Sequence, residues 1–372
     1  MNSKFSIKQI LQDHWADFSS EYNNIRPVVL TEVKKTMHCG DPSNGYALYF
    51  CEHCFKFKHV PFRCKSRFCN TCGHVYQSNR TLSISSKLLN CKHRHIVFTI
   101  PFELRTFFRK DRSLLHLLFK ASSQLILDWF AKLNKSQHFT PGIVSSLHTF
   151  GRDLKWNPHI HMLVSEGGAG NLSPWRNVKF FPFVMLRKKW QTSLLSLMEA
   201  SIGKKHFRNL KNRLYSNNKD GFYVHAPSSN FNSPNAVANY ITRYIGRPAM
   251  AQSRIINYDG KFITFWYQRH ENNVRVEETV SAFDFIKKLI IHIPEKYFNM
   301  LRYYGLYAKK HKFKHKLITL LSAQQIKTRK LLSRWAFRIQ KSFGVDPTKC
   351  SCGHYMEFLY IHTPSSIEPS PP

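Results

Sequence analysis

Acidic residues are scarce in this chain. Only 22 Asp and Glu stand against 56 Lys and Arg, a formal charge of +34 at pH 7. A surplus of that size repels itself in a compact fold unless a polyanion offsets it, and nucleic acid is the natural polyanion. Long apolar runs are missing too. No stretch approaches the roughly 18 apolar residues of a membrane span, and no basic amphipathic anchor stands apart from folded sequence, so a membrane is not the expected partner. The N-terminus, MNSKFSIKQI, lacks the apolar stretch and small-residue cleavage site of a signal peptide. The expected compartment is a reducing bacterial cytoplasm, beside the nucleoid, where the nine cysteines are thiols or metal ligands. A GxxxxGK[ST] phosphate loop is also lacking. The length, 372 residues, rules out a disulfide-stapled miniprotein and leaves room for two or three domains.

What the chain does have is aromatics, 14% of its residues, many set beside basic ones as in KFKHVPFRCKSRF and LRYYGLYAKKHKFKHK. That mixture suits stacking on unpaired bases together with phosphate neutralisation; an aromatic core under a solvated basic surface would look the same residue by residue. Apolar positions Ile7, Ile10, Leu11, Trp15 and Phe18 recur at helical spacing and predict one or two helices over 7–35. YALYF and FKFKHV read as short strands among paired cysteines. RHIVFTI, GIVSSLHTF and HIHMLVSEG read as strands, the last two forming a hairpin around 152–158. Helices are expected over 104–133 and 183–215, and AVANYITRYIG reads as a short helix closed by Gly246 and Pro248. RIINY and KFITFWYQ read as further strands. The tail from Pro294 reads as helical and basic, and its end, SSIEPSPP, as disordered.

Two chelating pairs, Cys51-x2-Cys54 and Cys69-x2-Cys72, have the spacing that lets two thiolates reach one tetrahedral Zn²⁺ from a tight turn. The expectation is one structural zinc held by all four, with Cys64 a further candidate and Cys39, His38, His53, His59 and His74 nearby. A site of this kind contributes roughly 10–16 kcal/mol of apparent binding energy in small zinc peptides. The basic segment between the pairs, with Lys56, Lys58, Arg63, Lys65 and Arg67, could lie along phosphates. Lys65 and Arg67 are the expected DNA contacts there. Cys350-x-Cys352, followed by Gly353 and His354, is too tightly spaced for the ordinary two-residue turn and is a weak metal signal.

His159-Ile160-His161 opens an apolar strand, and a period of two puts both imidazoles on one face with Ile160 on the other. Two imidazoles so placed can share a divalent ion. A third ligand is needed. His148, on the strand expected to pair with this one, is the first candidate; Asp153 and Glu166 offer oxygen donors better suited to Mg²⁺ or Mn²⁺. Tyr240 and Tyr244, four apart on the short helix, share a face with Arg243, Arg247 and Asn239 around them. A phenol of ordinary pKa near 10 is only about 0.1% ionised at pH 7 and needs help to attack a phosphodiester. A metal and two arginines supply it.

The HIH strand, the Tyr-x3-Tyr helix and the upstream CKSRFCNTC cluster together resemble the two-tyrosine transposases of the insertion sequence 91 type, a branch of the HUH single-strand nucleases. LHTFGRDLKWNPHIHMLV, ANYITRYIGRP and FIKKLIIHIPEKYFNMLRYYGLYA extend the resemblance over most of the chain. The resemblance implies an α+β fold: an HUH core, an antiparallel sheet flanked by helices, preceded by a small zinc-binding domain and followed by a basic helical region. It implies that His159 and His161 hold the metal and that Tyr240 and Tyr244 are the nucleophiles of a rolling-circle-like DNA transposition on single strands, without ATP. The sequence departs from the family pattern at Cys350-Ser351-Cys352, where that pattern is C-x2-C.

The expected division is 1–90 for the helical entry and zinc-binding domain, 91–293 for the nuclease, and 294–372 for the basic C-terminal region with its metal knuckle. Three alternatives use the same residues. A rolling-circle replication initiator would nick an origin with the same metal and tyrosines. A non-catalytic zinc-dependent nucleic-acid-binding protein would use His159, His161 and the tyrosines for packing. A metal-ion hydrolase would cleave without a tyrosyl intermediate.

Overall fold

The computed structural model describes residues 5–133, 138–170, 175–178, 180–225, 238, 249–269, 272–309 and 323–364. In chain order the elements are α1 (Ile7–Glu21), α2 (Pro27–Met37), β1 (Tyr46–Phe50), β2 (Phe57–Pro61), α3 (Asn70–Ser85), β3 (His93–Phe98), α4 (Phe102–Lys110), α5 (Leu115–Leu133), β4 (Thr140–Phe150), β5 (Trp156–Ala169), β6 (Arg176–Asn177), α6 (Phe183–Ile202), α7 (Lys204–Asn217) and β7 (Val224–His225). They continue with β8 (Ile255–Tyr258), β9 (Phe262–Gln268), β10 (Arg275–Ser281), α8 (Ala282–Ile290), β11 (Leu301–Gly305), α9 (Ala323–Leu331), α10 (Trp335–Phe343) and β12 (Glu357–His362). The fold is a mixture of helices and antiparallel sheets, as expected.

Two compact units share the chain: 1–79 with 246–293 and 331–372, and 80–245 with 294–330. The units interleave, unlike the expected consecutive division at 90 and 293. The reason is packing. Phe18 of α1 meets Phe283 of α8 edge to face at 5.5 Å, and the Tyr258 hydroxyl of β8 donates to Asp13 at 2.7 Å, which draws 246–293 to the N-terminal helices. Strand β12 pairs with β1 and brings the last segment to the same unit.

The first unit begins with α1, whose N-cap Ser6 accepts from the Gln9 amide at 3.0 Å while Ile7, Ile10, Leu11, Trp15 and Phe18 are buried along one stripe. Pro27 opens α2, where its missing N–H costs no hydrogen bond. Two three-stranded antiparallel sheets follow, in orders β12–β1–β2 and β10–β9–β8.

The second unit is built on an antiparallel sheet of order β11–β4–β5–β3–β7, with β6 beside β5. Alternation gives it two unlike faces. Ile96 and Phe98, Ile143 and Leu147, and Ile160, Met162 and Val164 share one face and are fully buried. Helices cover that face: Phe98 packs on Trp190 of α6 at 5.2 Å, and Arg302 of β11 lies over Phe119 of α5 at 4.2 Å. Fully burying each such apolar side chain stabilises by roughly 1.5–3 kcal/mol. The opposite face carries the histidines.

Two expectations change. The 104–133 helix is broken into α4, a 3-10 turn at 112–114, and α5, because Asp111 caps a new turn by accepting from the Ser113 amide at 2.9 Å. The tail from Pro294 begins as an edge strand rather than a helix: Leu301 to Gly305 pair with β4 from Ser146 to Gly142. Gly305 ends it at φ +57°, where a Cβ would come within 1.9 Å of the Pro141 carbonyl. SSIEPSPP lies outside the described residues.

Candidate active site and metal centres

Strands β4 and β5 form the expected hairpin, with His148 directly opposite His159 and Ser146 opposite His161. His148, His159 and His161 therefore share the face opposite Ile160 and Met162, and one ring nitrogen from each lies within 4.8 Å of the others. The rings of His148 and His161 are 3.9 Å apart, and those of His159 and His161 4.9 Å. His159 donates from Nδ1 to the Asn157 carbonyl at 2.6 Å. A carbonyl can only accept, so the proton is on Nδ1 and Nε2 holds the lone pair a metal needs.

Strand β3 adds a ligand-type side chain that the sequence reading overlooked. His95 Nε2 is 2.9 Å from His161 Nδ1, one nitrogen donating to the other. The signal was present in HRHIVF, whose His93 and His95 alternate like His159 and His161, but nothing in the sequence paired β3 with β5. Burial holds the His161 pKa well below its ordinary value, helped by His148, His159 and His95; burial, then His225 and His159, pushes His95 down to about 4. At neutral pH both are uncharged and able to ligate. Burial likewise takes His93 down to about 4; its Nδ1 donates to the Cys91 carbonyl at 2.9 Å, and its Nε2 accepts from the Tyr307 hydroxyl at 2.6 Å.

The carboxylate alternatives for a third ligand do not reach the cluster. Glu166 belongs to the helix-side face of β5, where its Oε1 accepts from both Arg94 Nε and Arg94 Nη2 at 2.7 Å. Asp153 lies in the β4–β5 turn, engaged with the Lys155 amide and ammonium, each at 3.2 Å. Tyr240, Tyr244, Arg243 and Arg247 lie outside the described residues.

The cysteines regroup. Cys51 and Cys54 do not share a site with Cys69 and Cys72. Instead Cys69 and Cys72 converge with Cys39 and Cys64, all four sulfurs within 4.8 Å of one another. The expected quartet failed because a C-x2-C turn fixes only its own two thiols, and β2 carries the chain away between the pairs. Cys39 follows the end of α2, Cys64 follows β2, and Cys69 and Cys72 stand at the N-terminal turn of α3, whose dipole favours thiolates. The sulfur contacts are 3.6 Å for Cys39 to Cys72 and 3.5 Å for Cys64 to Cys72. Zn–S bonds of about 2.3 Å in a tetrahedron separate sulfurs by about 3.8 Å, so the quartet fits zinc. Hydrogen bonding from Cys64 and then Cys72 lowers the Cys69 pKa, while hydrogen bonding with Cys69 and then Cys72, and after them burial, raises that of Cys64. Cys51 and Cys54 lie beside Cys350 and Cys352. Lys65 is exposed and takes φ +55°, and the Arg67 guanidinium lies over the Tyr76 ring at 5.7 Å.

Two family models match. "Transposase zinc-binding domain" covers residues 10–100, and "Putative transposase" covers 142–315. The first contains all of the Cys39 quartet, and the second contains His148, His159 and His161. The chain belongs to the insertion sequence 91 type of transposases. This transposase is 28% identical over 313 residues to the "Transposase for insertion sequence element IS801" of Pseudomonas savastanoi pv. phaseolicola, covering 80% of this chain and 74% of that one. It is 25% identical over 292 residues to "Putative transposase y4qJ" of Sinorhizobium fredii, covering 74% and 73%. No solved structure matches it. The zinc-binding domain and its cysteines carry structural Zn²⁺, and DNA is the partner that family membership implies. Among the described residues no helix is long and apolar enough to cross a membrane.

Proposed function

We propose that this transposase cleaves and rejoins single-stranded DNA through 5′-phosphotyrosine intermediates, in a rolling-circle-like transposition that takes place beside the bacterial nucleoid. The observation that carries the reading is the convergence of His148, His159 and His161 on one face of an antiparallel sheet. The His161 imidazole, kept neutral by burial, is a poor general base for this step and a good ligand. Three nitrogen donors fit Mn²⁺ better than the harder Mg²⁺, which prefers oxygen. A divalent ion bound there supplies positive charge against the scissile phosphate and the leaving 3′ oxygen.

The chain's own residues do the rest. The Tyr240 or Tyr244 oxygen attacks phosphorus, its proton passing to water; a tyrosine O–P bond forms, the P–O3′ bond breaks, and the 3′ oxygen leaves to become a free hydroxyl. The second tyrosine repeats the step on the other strand, and each 3′-hydroxyl reverses the reaction on the opposite phosphotyrosine, so phosphodiester energy is kept without ATP. Arg243 and Arg247 offset charge on the phosphate. His161 would hold the ion through Nε2 if its Nδ1–H donates to His95 Nε2, 2.9 Å away, a bond that would fix the ring and its tautomer.

The test uses a 5′- and 3′-labelled single-stranded oligonucleotide carrying an element end, with Mn²⁺, Mg²⁺ or chelator. Wild type is expected to give a denaturation-resistant adduct on the 5′-phosphate side, lost with chelator, with His161→Ala and with Tyr240→Phe/Tyr244→Phe together. Metal-dependent cleavage with no adduct would show hydrolysis by water and overturn the tyrosine step. No cleavage of any single strand by folded, zinc-loaded protein would overturn the reading as a whole.

A further inference from the structure

Cys51 and Cys54 are two ligands short of a structural zinc site, and so are Cys350 and Cys352. The fold brings the two halves together. Cys51 Sγ lies 3.5 Å from Cys352 Sγ and Cys54 Sγ 3.4 Å from Cys350 Sγ, across 301 and 296 residues of sequence. All four sulfurs lie within 4.8 Å of one another. These separations are close to the roughly 3.8 Å between sulfurs on one tetrahedral Zn²⁺ and far from the roughly 2.05 Å of a disulfide.

Each pair is presented by its own closed turn. On one side the Cys51 amide donates to the Lys56 carbonyl at 3.0 Å and the Phe55 amide to the Cys51 carbonyl at 2.8 Å, with Phe55 at φ +57°. On the other the Cys350 amide donates to the His354 carbonyl at 2.9 Å and the Gly353 amide to the Cys350 carbonyl at 3.0 Å, with Gly353 at φ +90°. The one-residue spacing that weakened Cys350-x-Cys352 as a sequence signal is thus no obstacle, since the turn, bridged at Lys349 and Tyr355, points both thiols at the facing pair. His354 Nδ1 lies 3.7 Å from Cys352 Sγ, where a ring N–H can donate to a coordinated thiolate, and its ring stacks on His53 at 3.7 Å.

The surrounding structure calls for a staple. Strand β12 is exposed along its whole length yet pairs with β1 from Tyr46–His362 to Phe50–Glu357, with one register shift between Leu48 and Tyr49. Among the described residues, the buried cluster at the cysteine side of this sheet is Tyr49, Cys51 and Met356, with Ala47, Cys54, Val60 and Cys350 partly buried against it. A small sheet with so little apolar cover is not expected to persist in water without a metal or a cross-link. The Lys58 ammonium, donating to the carbonyls of Pro347 and Lys349 at 3.0 and 3.2 Å, is a weak tie beside four metal–sulfur bonds.

We infer that Cys51, Cys54, Cys350 and Cys352 bind a second structural Zn²⁺, which clamps the C-terminal strand onto the N-terminal zinc-binding domain. Half of its ligands lie outside the matched zinc-binding domain, which ends at residue 100. The second ion makes that domain discontinuous in sequence.

The experiment counts metal on the purified protein. Inductively coupled plasma mass spectrometry should give two zinc ions per chain, one in Cys350→Ser/Cys352→Ser. In wild type, iodoacetamide without denaturant should spare Cys350 and Cys352 together with Cys51 and Cys54, and chelator should make all four reactive. One zinc per chain in wild type, two in the double variant, or alkylation of Cys350 and Cys352 at the rate of a free thiol while zinc stays bound would each overturn the inference. Should the double variant fail to fold, the wild-type count and alkylation pattern decide alone.

Discussion

Replacing Glu166 by Ala separates the imidazole site from the carboxylate alternative. The Glu166 and Arg94 side chains are only 11% and 10% exposed, and the guanidinium meets one carboxylate oxygen at 2.7 Å through both Nε and Nη2. Removing one partner of a buried ion pair costs about 3–5 kcal/mol, because the remaining charge stays desolvated. Arg94 also lies over the Phe181 ring at 4.9 Å, a contact that retains roughly 0.5–2 kcal/mol of stabilisation for the cation. A net loss of about 3 kcal/mol is expected, which lowers the thermal midpoint of a unit this size by roughly 6–12 °C. The assay pairs thermal unfolding, followed by circular dichroism, with Mn²⁺ titration calorimetry below the lowered midpoint. Glu166→Ala should keep its Mn²⁺ affinity, whereas His148→Ala should lose it by at least about tenfold with a smaller change in midpoint. The reasoning is refuted if Glu166→Ala abolishes Mn²⁺ binding while its midpoint stays within about 2 °C of wild type, since the carboxylate would then be a ligand and not the partner of a buried cation.

Acid should destabilise the second unit through His93. Its folded pKa of about 4 lies below the ordinary 6.5, so the unfolded chain takes the proton first. The contribution is complete above pH 6.5 and is lost, by about 3 kcal/mol, as pH falls from 6.5 to 4. Urea unfolding at pH 7 and 4.5 should show that loss in wild type and a smaller one in His93→Gln; equal losses would contradict it. Gly305→Ala drives a Cβ into the Pro141 carbonyl and should cost about 1–3 kcal/mol of backbone strain, read as a lower thermal midpoint; an unchanged midpoint would show that the strand end yields freely. Lys65→Ala, at an exposed position between the two cysteine pairs, should flatten the log–log salt dependence of single-strand binding by about 0.7, the share of one phosphate contact. An unchanged slope would remove Lys65 from the DNA surface.

What the sequence determined by itself is whatever rests on local periodicity or on charge. The helical stripe of α1, the alternation that puts His159 and His161 on one face, and the hairpin that brings His148 opposite them all follow from residues within a few positions of one another or joined by a short turn. The charge of +34 names a polyanionic partner whatever the fold. Tertiary structure decided everything that needed a partner across long sequence separation. Each C-x2-C turn fixes two thiols and says nothing of the other two, so Cys39 and Cys64 for one pair and Cys350 and Cys352 for the other had to be delivered by chain topology. His95 met His161 only because β3 pairs with β5, and Glu166 was turned from the histidine cluster toward Arg94 by the pleat of the strand that carries it. The edge strand Leu301–Gly305 reads locally as basic, aromatic tail, and became part of the sheet because β4 had an unpaired edge to fill.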